Sequence, residues 1–503
     1  MTVCIGVICD ALAYRDQPGS DVIRFYQALA REQAFESFHL PLPALRASLE
    51  TGDLGRLPSL QLSDRAAATL WTAAPVRGLQ PLPAQRFDLL FCRTLKPFPP
   101  RHLELLQQLE HCTRFLNRPS SKIRQLASWF LTDIAGSFTP PSRLIRSSEA
   151  LADVLELWGD VVVKRPNSTQ GRGVFRLSRS GPMSVCLSQG FVPVETLSSL
   201  EHAMALIGDV SEEWLAMPFL SGTFQGDKRV LVVDGEVIAG YRRRSSTGHW
   251  INNVSVDADC VLEAVSDDER AVVAATAPSY RSMGMRILGY DFLTGDSGEP
   301  LVSEINVGNI GGFSRVTQLG GPDAMHQLLG WMRLFAEAKE EALLEPAKSH
   351  HAAAMAAIYQ QSVDQGGVTM DVGLITAGSF RQRLSACGER SGFWVLTLGA
   401  EVLGWTELRA YSPRWGYRFT AETSTYVHAS ARGRGFGSKL QRFVIGKARE
   451  MHYRHLVAKV VSRNEQSVAF HLRHGFERVG TQKEVGFLGN SWHDVVILQC
   501  LLV

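Results

Sequence analysis

Gly289-Tyr290-Asp291-Phe292-Leu293, a short loop, then Leu301-Val302-Ser303-Glu304-Ile305-Asn306-Val307 reads as two apolar strands returning on each other. Glu304 and Asn306 are two apart on a strand, so their side chains share a face, and Asp291 on the preceding strand is a cross-strand neighbour. Two carboxylates and an amide carbonyl are hard oxygen donors, suited to magnesium held between protein and nucleotide phosphates. The plain alternative is a pair of solvent-facing strand acids. Against it stands the asparagine flanked by apolar residues, which a strand disfavours without a purpose.

Upstream, Gly226-Asp227-Lys228-Arg229-Val230-Leu231-Val232-Val233-Asp234-Gly235-Glu236 sets three charges before a strand that closes in a type I′-like Asp-Gly turn. Further back, Val161-Val162-Val163-Lys164 ends a strand in a lysine, and a loop with Gly171 and Gly173 leads to a second strand. Glycine lets backbone N–H groups close over phosphates, and a lysine beside them adds charge. Taken singly this is also the pattern of a plain hairpin.

The surrounding chain has 503 residues, more than one hydrophobic core usually organises. It is 45% hydrophobic and 20% charged, with 52 basic residues against 50 acidic. That balance argues against a nucleic-acid or anionic-membrane binder working by bulk charge. No stretch approaches the roughly 18 apolar residues of a membrane span, and Asp10 follows too soon for a signal peptide, so the expected location is cytoplasmic. The eight cysteines form no CxxC pair and read as reduced thiols. Strand Val3 to Ile8, helix Asp21 to Arg31 and strand Phe87 to Cys92 suggest a small α/β unit. The expected organisation is an N-terminal α/β domain at 1–115, a second domain at 116–340, a linker at 341–352 where a helix runs out at Pro346, and a third domain at 353–503.

Taken together, Lys164 with its glycine loop, the 226–236 run, Arg243, Asn253, Asp291 and Glu304-Ile305-Asn306 resemble the ATP-grasp ligases, most closely bacterial glutathione synthetase. The resemblance covers about residues 1–335, the opening strand and Phe91 to Phe98 included. It implies that Lys164, Gly171, Gly173, Met217, Phe219 and Asp227 bind ATP, with Ala216 to Leu220 as the adenine hinge. It also implies that Asp291, Glu304 and Asn306 hold Mg²⁺, and that Lys228 and Arg243 face the nucleotide and the activated acyl group. Such enzymes phosphorylate a carboxylate and let an amine displace the phosphate, which demands neutralised phosphoryl charge and excluded water. The chain departs from that pattern in three places. Ala127-Ser128-Trp129-Phe130 stands where the family has an ATP lysine, Ile251-Asn252-Asn253 replaces Arg-Gly-Asn, and Val307 to Gly312 replaces the substrate-facing loop. The last two argue against glutathione as the product.

Beyond the expected linker, Thr420-Ala421-Glu422-Thr423-Ser424-Thr425-Tyr426-Val427-His428 alternates as a strand and enters Arg432-Gly433-Arg434-Gly435-Phe436-Gly437, followed by a helix. A glycine turn at a helix N-terminus suits a pyrophosphate, and the two arginines add charge. Strand Leu456 to Val461 then leads to Asn464 and a helix with Ser467 and His471. This stretch resembles the GNAT acetyltransferases, and within them phosphinothricin N-acetyltransferase. The likeness implies acetyl-CoA bound by Val427, Arg432, Gly433, Arg434, Gly435, Gly437, Asn464 and Ser467, with Glu422 as general base on the substrate ammonium and His471 near the catalytic centre. The family's first strand is missing from 353 onward; either it is lost or the linker supplies it.

The reading is an α/β chain, an ATP-grasp fold with its N-terminal α/β domain followed by a GNAT α/β domain. The expected function is a bifunctional enzyme using ATP, Mg²⁺ and acetyl-CoA, a carboxylate-amine ligase acting through an acylphosphate and an N-acetyltransferase. Its substrates would be amino acids or small peptides, in specialised-metabolite biosynthesis or self-protection, with no nucleic-acid or membrane partner and self-association left open. The alternative is a working acetyltransferase beside a degenerate, non-catalytic ATP-grasp module.

Overall fold

A computed structural model describes residues 2–502 apart from 18, 72–75, 95–97, 99–100, 169–172, 180–184, 190–194, 198–199, 209–212, 247, 253–257 and 339–340. The chain divides into two compact units, Met1–Ala277 with Met285–Ala338, and Pro278–Gly284 with Lys339–Val503. Among the described residues no helix is long and apolar enough to cross a membrane, and the seven cysteines whose side chains are described are free.

In the first unit, strand Val3–Cys9 is buried along its whole length because it lies inside a six-stranded sheet. It pairs in parallel with Phe35–Pro41 and Leu89–Cys92, as a continuous apolar run requires. Helix Asp21–Arg31 has the span its sequence suggested. Ser20 caps it, Asp21 and Arg31 match its dipole, and Val22, Phe25, Tyr26 and Leu29 form the buried stripe.

The same unit continues into two further sheets, one of six strands centred on Asp160–Lys164 and Trp214–Pro218, and one of five centred on Asp227–Val233 and Ile287–Thr294. Asp234 and Gly235 turn the chain with φ of 52° and 93°, the left-handed pair a type I′ turn needs. Gly226 is obligatory in another way. Its φ is +99°, and a Cβ there would sit 2.3 Å from the Arg243 carbonyl oxygen. Strands Ile287–Thr294 and Pro300–Asn306 pair antiparallel with Asp291 opposite Glu304, and the register slips past Asp291 so that Ser303 bulges. The fully buried Asn117 fixes the ends of these strands. Its Oδ1 accepts from the Arg286 and Ile287 amides, while Nδ2 donates to the Ile287 and Val307 carbonyls.

The second unit is built on a seven-stranded sheet. Its first strand is Ala342–Pro346, which pairs antiparallel with Gly392–Leu398. The segment expected to be a linker is therefore an edge strand, followed by a helical turn at Ser349–His351 and helix Ala352–Gln365. Pro346 closes the strand at a sheet edge, where a missing N–H is tolerated. Read as a helix breaker, the same proline hid the strand.

Candidate active sites

The first site is a cleft of about 370 Å³ in the first unit. One wall is apolar, with Val162, Leu215, Met217 and Trp250 packed as a cluster. Met217 lies where the adenine hinge was expected. Phe219 does not line the cleft; it stands edge-on to Trp250 and carries the Arg176 guanidinium 3.5 Å over its ring.

The opposite wall is charged. Lys164, at the end of its strand, donates to the Ser303 carbonyl at 3.1 Å, an oxygen presented by the bulged residue. Burial pulls its pKa below the ordinary lysine value, against the opposing charges of Glu304, Asp291 and Asp227. Asp291 takes a bidentate pair from Arg229 at 2.5 and 2.9 Å, a further bond from Arg243 at 2.8 Å and one from the Asn306 amide at 3.1 Å. Burial would raise the Asp291 pKa, but the two guanidiniums outweigh it and hold the carboxyl below its usual range. Asp227 is bidentate with Arg243 at 2.8 and 2.6 Å, yet burial and the neighbouring Asp291 charge leave its pKa raised.

Strand alternation corrects one expectation. Asp227 and Arg229 face the cleft, so Lys228 between them points to the other side of the sheet. There its ammonium is buried against Ala264 O at 2.6 Å, Glu269 at 2.7 Å and Glu263 at 3.2 Å. Arg229, which sequence reading passed over, is the cation the strand delivers to the site. Where the family's lysine was expected, Gln125 to Ser128 form the wall, with Ser128 Oγ donating to Glu213 O at 2.6 Å. Among the described residues the cations lining the cleft are Lys164, Arg165 and Arg229. Asn252 is buried and spent on the Ser245 amide and the Thr223 carbonyl. Gly173 closes the strand-loop turn through its carbonyl to the Arg165 amide, whereas Gly171 and Asn253 lie outside the described residues.

Asp291, Glu304 and Asn306 all line this cleft. Their oxygen donors and adjacent positions fit Mg²⁺. Among the described residues no cluster of three His, Cys, Asp or Glu forms a metal site, so the amide oxygen of Asn306 would be needed as the third protein donor. Asp291 would have to be shared with Arg229 and Arg243.

The second cleft, about 530 Å³, belongs to the second unit. Strand Thr420–Val427 pairs in parallel with His455–Val461 only at Thr420, Ala421 and Glu422. Past that point the two strands diverge, although each keeps its other neighbour. Thr423 to Val427 and Ala458 to Val460 line the opening, and at its far end stand Arg432, Gly433, Gly435 and Gly437. Gly435, at φ +82°, caps helix Phe436–Glu450, a helix N-terminus whose first amides suit an anion. Arg432 is tied to Val427 O and Gln365, while Arg434 lies over the Phe436 ring and does not line the cleft. Asn464 caps helix Glu465–Arg473 by accepting from the Ser467 amide, and both line the cleft.

Glu422 does not behave as a free base. One carboxylate oxygen accepts from Arg409 at 2.6 Å and the other from Lys459 at 3.0 Å, and Glu422 is not among the lining residues. Burial would raise its pKa, but these two cations outweigh it and leave the carboxyl below the usual range. Glu422 sits in the closed, paired part of the sheet, one step short of the opening. His471 does line the cleft. Its Nδ1 meets the Ser467 carbonyl at 2.8 Å and must carry the proton, so Nε2 keeps its lone pair, buried and with no hydrogen-bond partner. Burial lowers its pKa, which keeps the ring neutral.

The two clefts lie in regions of the chain that match two enzyme families, the ATP-grasp ligases and the GNAT acetyltransferases. Residues 129–321 match the model of the prokaryotic glutathione synthetase ATP-grasp domain, and residues 369–476 that of the acetyltransferase (GNAT) family. The glutathione synthetase of Parasynechococcus marenigrum is 28% identical over 292 residues, 52% of this chain and 87% of that protein. An L-methionine sulfoximine/L-methionine sulfone acetyltransferase of Pseudomonas paraeruginosa is 34% identical over 113 residues, 22% of this chain and 66% of the relative. Among solved structures, a GNAT superfamily phosphinothricin acetyltransferase from Sinorhizobium meliloti in complex with AcCoA is 28% identical, with a TM-score of 0.31 over 32% of this chain and 88% of its own. ATP and Mg²⁺ serve an ATP-grasp domain, and acetyl-CoA serves a GNAT domain.

Proposed function

We propose that the first cleft activates a small carboxylate as its acylphosphate and joins it to an amine, and that the second acetylates the α-amine of an amino acid or short peptide. The observation that carries the ligase reading is the gathering of Lys164, Arg229, Asp227, Asp291 and Glu304 in one cleft beside the Met217–Trp250 wall, with Arg243, buried behind the lining, bridging Asp227 and Asp291. In this reading the apolar wall takes a base, and Lys164 and Arg229 take phosphate oxygens. The substrate carboxylate oxygen attacks the γ-phosphorus, the bond to the ADP oxygen breaks, and the amine then displaces inorganic phosphate. Mg²⁺ bound by Asp291, Glu304 and Asn306 would supply charge neutralisation for the phosphates. Arg229 and Arg243 shift from pairing Asp291 to stabilising charge that develops in transfer.

In the second cleft acetyl-CoA lies between the diverging strands, its pyrophosphate on the 432–437 loop. The acceptor amine attacks the thioester carbon, forming C–N as C–S breaks. His471, whose ring lines the cleft, takes the amine proton at Nε2 once acceptor binding opens that buried nitrogen, as the base first expected in Glu422, and returns it to the departing thiolate. Ligation and acetylation on one chain fit the assembly or protection of an amino-acid-derived metabolite. The test is mass spectrometry of products from a mixed pool of amino acids and dipeptides with ATP, Mg²⁺ and acetyl-CoA. New amides formed with ADP, together with N-acetyl amino acids, are expected. Acetyl products without ADP release would favour the degenerate ATP-grasp alternative, and AMP with pyrophosphate would exclude the acylphosphate route.

A further inference from the structure

Where strands Thr420–Val427 and His455–Val461 diverge stands a charge arrangement to which the acetyl-CoA reading of the cleft gives no role. Arg409, Glu422 and Lys459 come from three neighbouring strands and meet on one face. Glu422 occupies the last paired position, opposite Val457, and Lys459 is two residues past Val457, so it stands on the same face at the first step into the opening. Lys459 lines the cleft with its side chain 43% exposed, its ammonium 5.5 Å from the Tyr411 ring. Glu422 by contrast is 9% exposed at its side chain. Two cations against one carboxylate leave this cluster with one net positive charge.

Glu422 does for these cations what a carboxylate does in a clamp. It fixes Lys459 by one hydrogen bond and leaves the remaining ammonium protons for a ligand on the cleft side. An amine attacking a thioester held between the strands must approach the same place. In an α-amino acid the carboxylate is joined to the carbon that bears the amine, so it would fall beside that attacking nitrogen. An amidated or peptidyl acceptor offers an uncharged amide there instead. A charge-assisted hydrogen bond discriminates between the two.

Resting on the acetyl-CoA reading of this cleft, we propose that Lys459 is the specificity-determining residue that recognises the carboxylate of the acceptor, held in place by Glu422 with Arg409 as its counterweight. The strand alternation and the early divergence at Glu422 are what put this lysine there. Glu422 is then a positioning residue, which accounts for a buried carboxylate with two cation partners and no place on the cleft surface.

The test uses the full chain with acetyl-CoA and, as acceptors, the proteinogenic amino acids and L-methionine sulfone, each alongside its α-carboxamide, with thiol release as readout. Wild type should prefer acids to amides. Lys459→Gln should raise KM for acids by about 10- to 100-fold, the worth of one charge-assisted bond, leave KM for amides nearly unchanged, and leave calorimetric acetyl-CoA affinity intact. Lys459→Arg should restore part of the acid preference. Equal losses on acids and amides would overturn the proposal and leave Lys459 as a partner of Glu422 only. So would a wild type that acetylates amides or peptides and no free amino acid. Absence of acetyl-CoA binding by wild type is the separate failure, that of the cleft reading itself, and it takes this inference with it.

Discussion

Arg229 and Lys228 are sequence neighbours with opposite fates, and exchanging each for glutamine separates catalysis from stability. Arg229→Gln removes a buried bidentate pair with Asp291. Each charge-assisted bond contributes about 1.5–3 kcal/mol, but Asp291 keeps Arg243 and Asn306, and glutamine restores one donor. The net loss should be roughly 2–4 kcal/mol. Lys228→Gln breaks the pair with Glu269, whose side chain is 8% exposed, while Glu269 retains the Ser266 amide. Removing one partner of a buried pair costs about 3–5 kcal/mol, lessened here to roughly 2–4 by the remaining donors. Both variants should therefore lower the melting temperature of the ligase part by similar amounts, roughly 5–10 °C. Activity should divide them. Measured as ADP release from the mixed substrate pool, below both transitions and at saturating ATP, Arg229→Gln should lose about 10² to 10³ in turnover, the worth of a positioned cation on developing charge. Lys228→Gln should stay within about threefold of wild type, because its ammonium never enters the cleft. If Lys228→Gln loses turnover as severely as Arg229→Gln, the assignment of faces on this strand is wrong.

Replacing His471 by glutamine should cut acetyl transfer by about 10² to 10⁴ with acetyl-CoA affinity kept, and a loss of affinity with unchanged turnover would make it structural. Because its pKa is lowered by burial, the acid limb of wild-type acetyl transfer should fall below the ordinary histidine value, activity disappearing as pH drops through it; a limb above that value contradicts the assignment. Glu422→Gln should destabilise the acetyltransferase part at pH 7. Its folded pKa is depressed, so the contribution is present above the unfolded carboxyl value and lost as pH falls through the folded one. Chemical denaturation should thus show wild type and variant converging in acid, and a gap that persists there counts against the ion pairs. A C-terminal fragment beginning at 341 should unfold cooperatively, whereas one beginning at 352 lacks strand Ala342–Pro346 and should be less stable; equal stabilities would show the edge strand to be dispensable.

Much of the chemistry could be read directly from the order of residues. Strand periodicity alone put Glu304 and Asn306 on one face and Asp291 beside them, and a glycine turn before a helix marked the candidate anion site at 432–437, because both depend only on local geometry. The same periodicity held the correction to Lys228, since Asp227 and Arg229 must share the face that Lys228 leaves. What no local pattern encodes is which face meets the cleft, and that was decided by the sheet around Asp227–Val233. Pairing across chain distance decided the rest. Ala342–Pro346 became a strand because Gly392–Leu398 offers it an open edge. Glu422, expected as a general base, has both oxygens paired because Arg409 and Lys459, on neighbouring strands, close on them. A side chain's identity fixes what it can bind, but its charge state and availability are set by partners that only tertiary structure brings within hydrogen-bond reach.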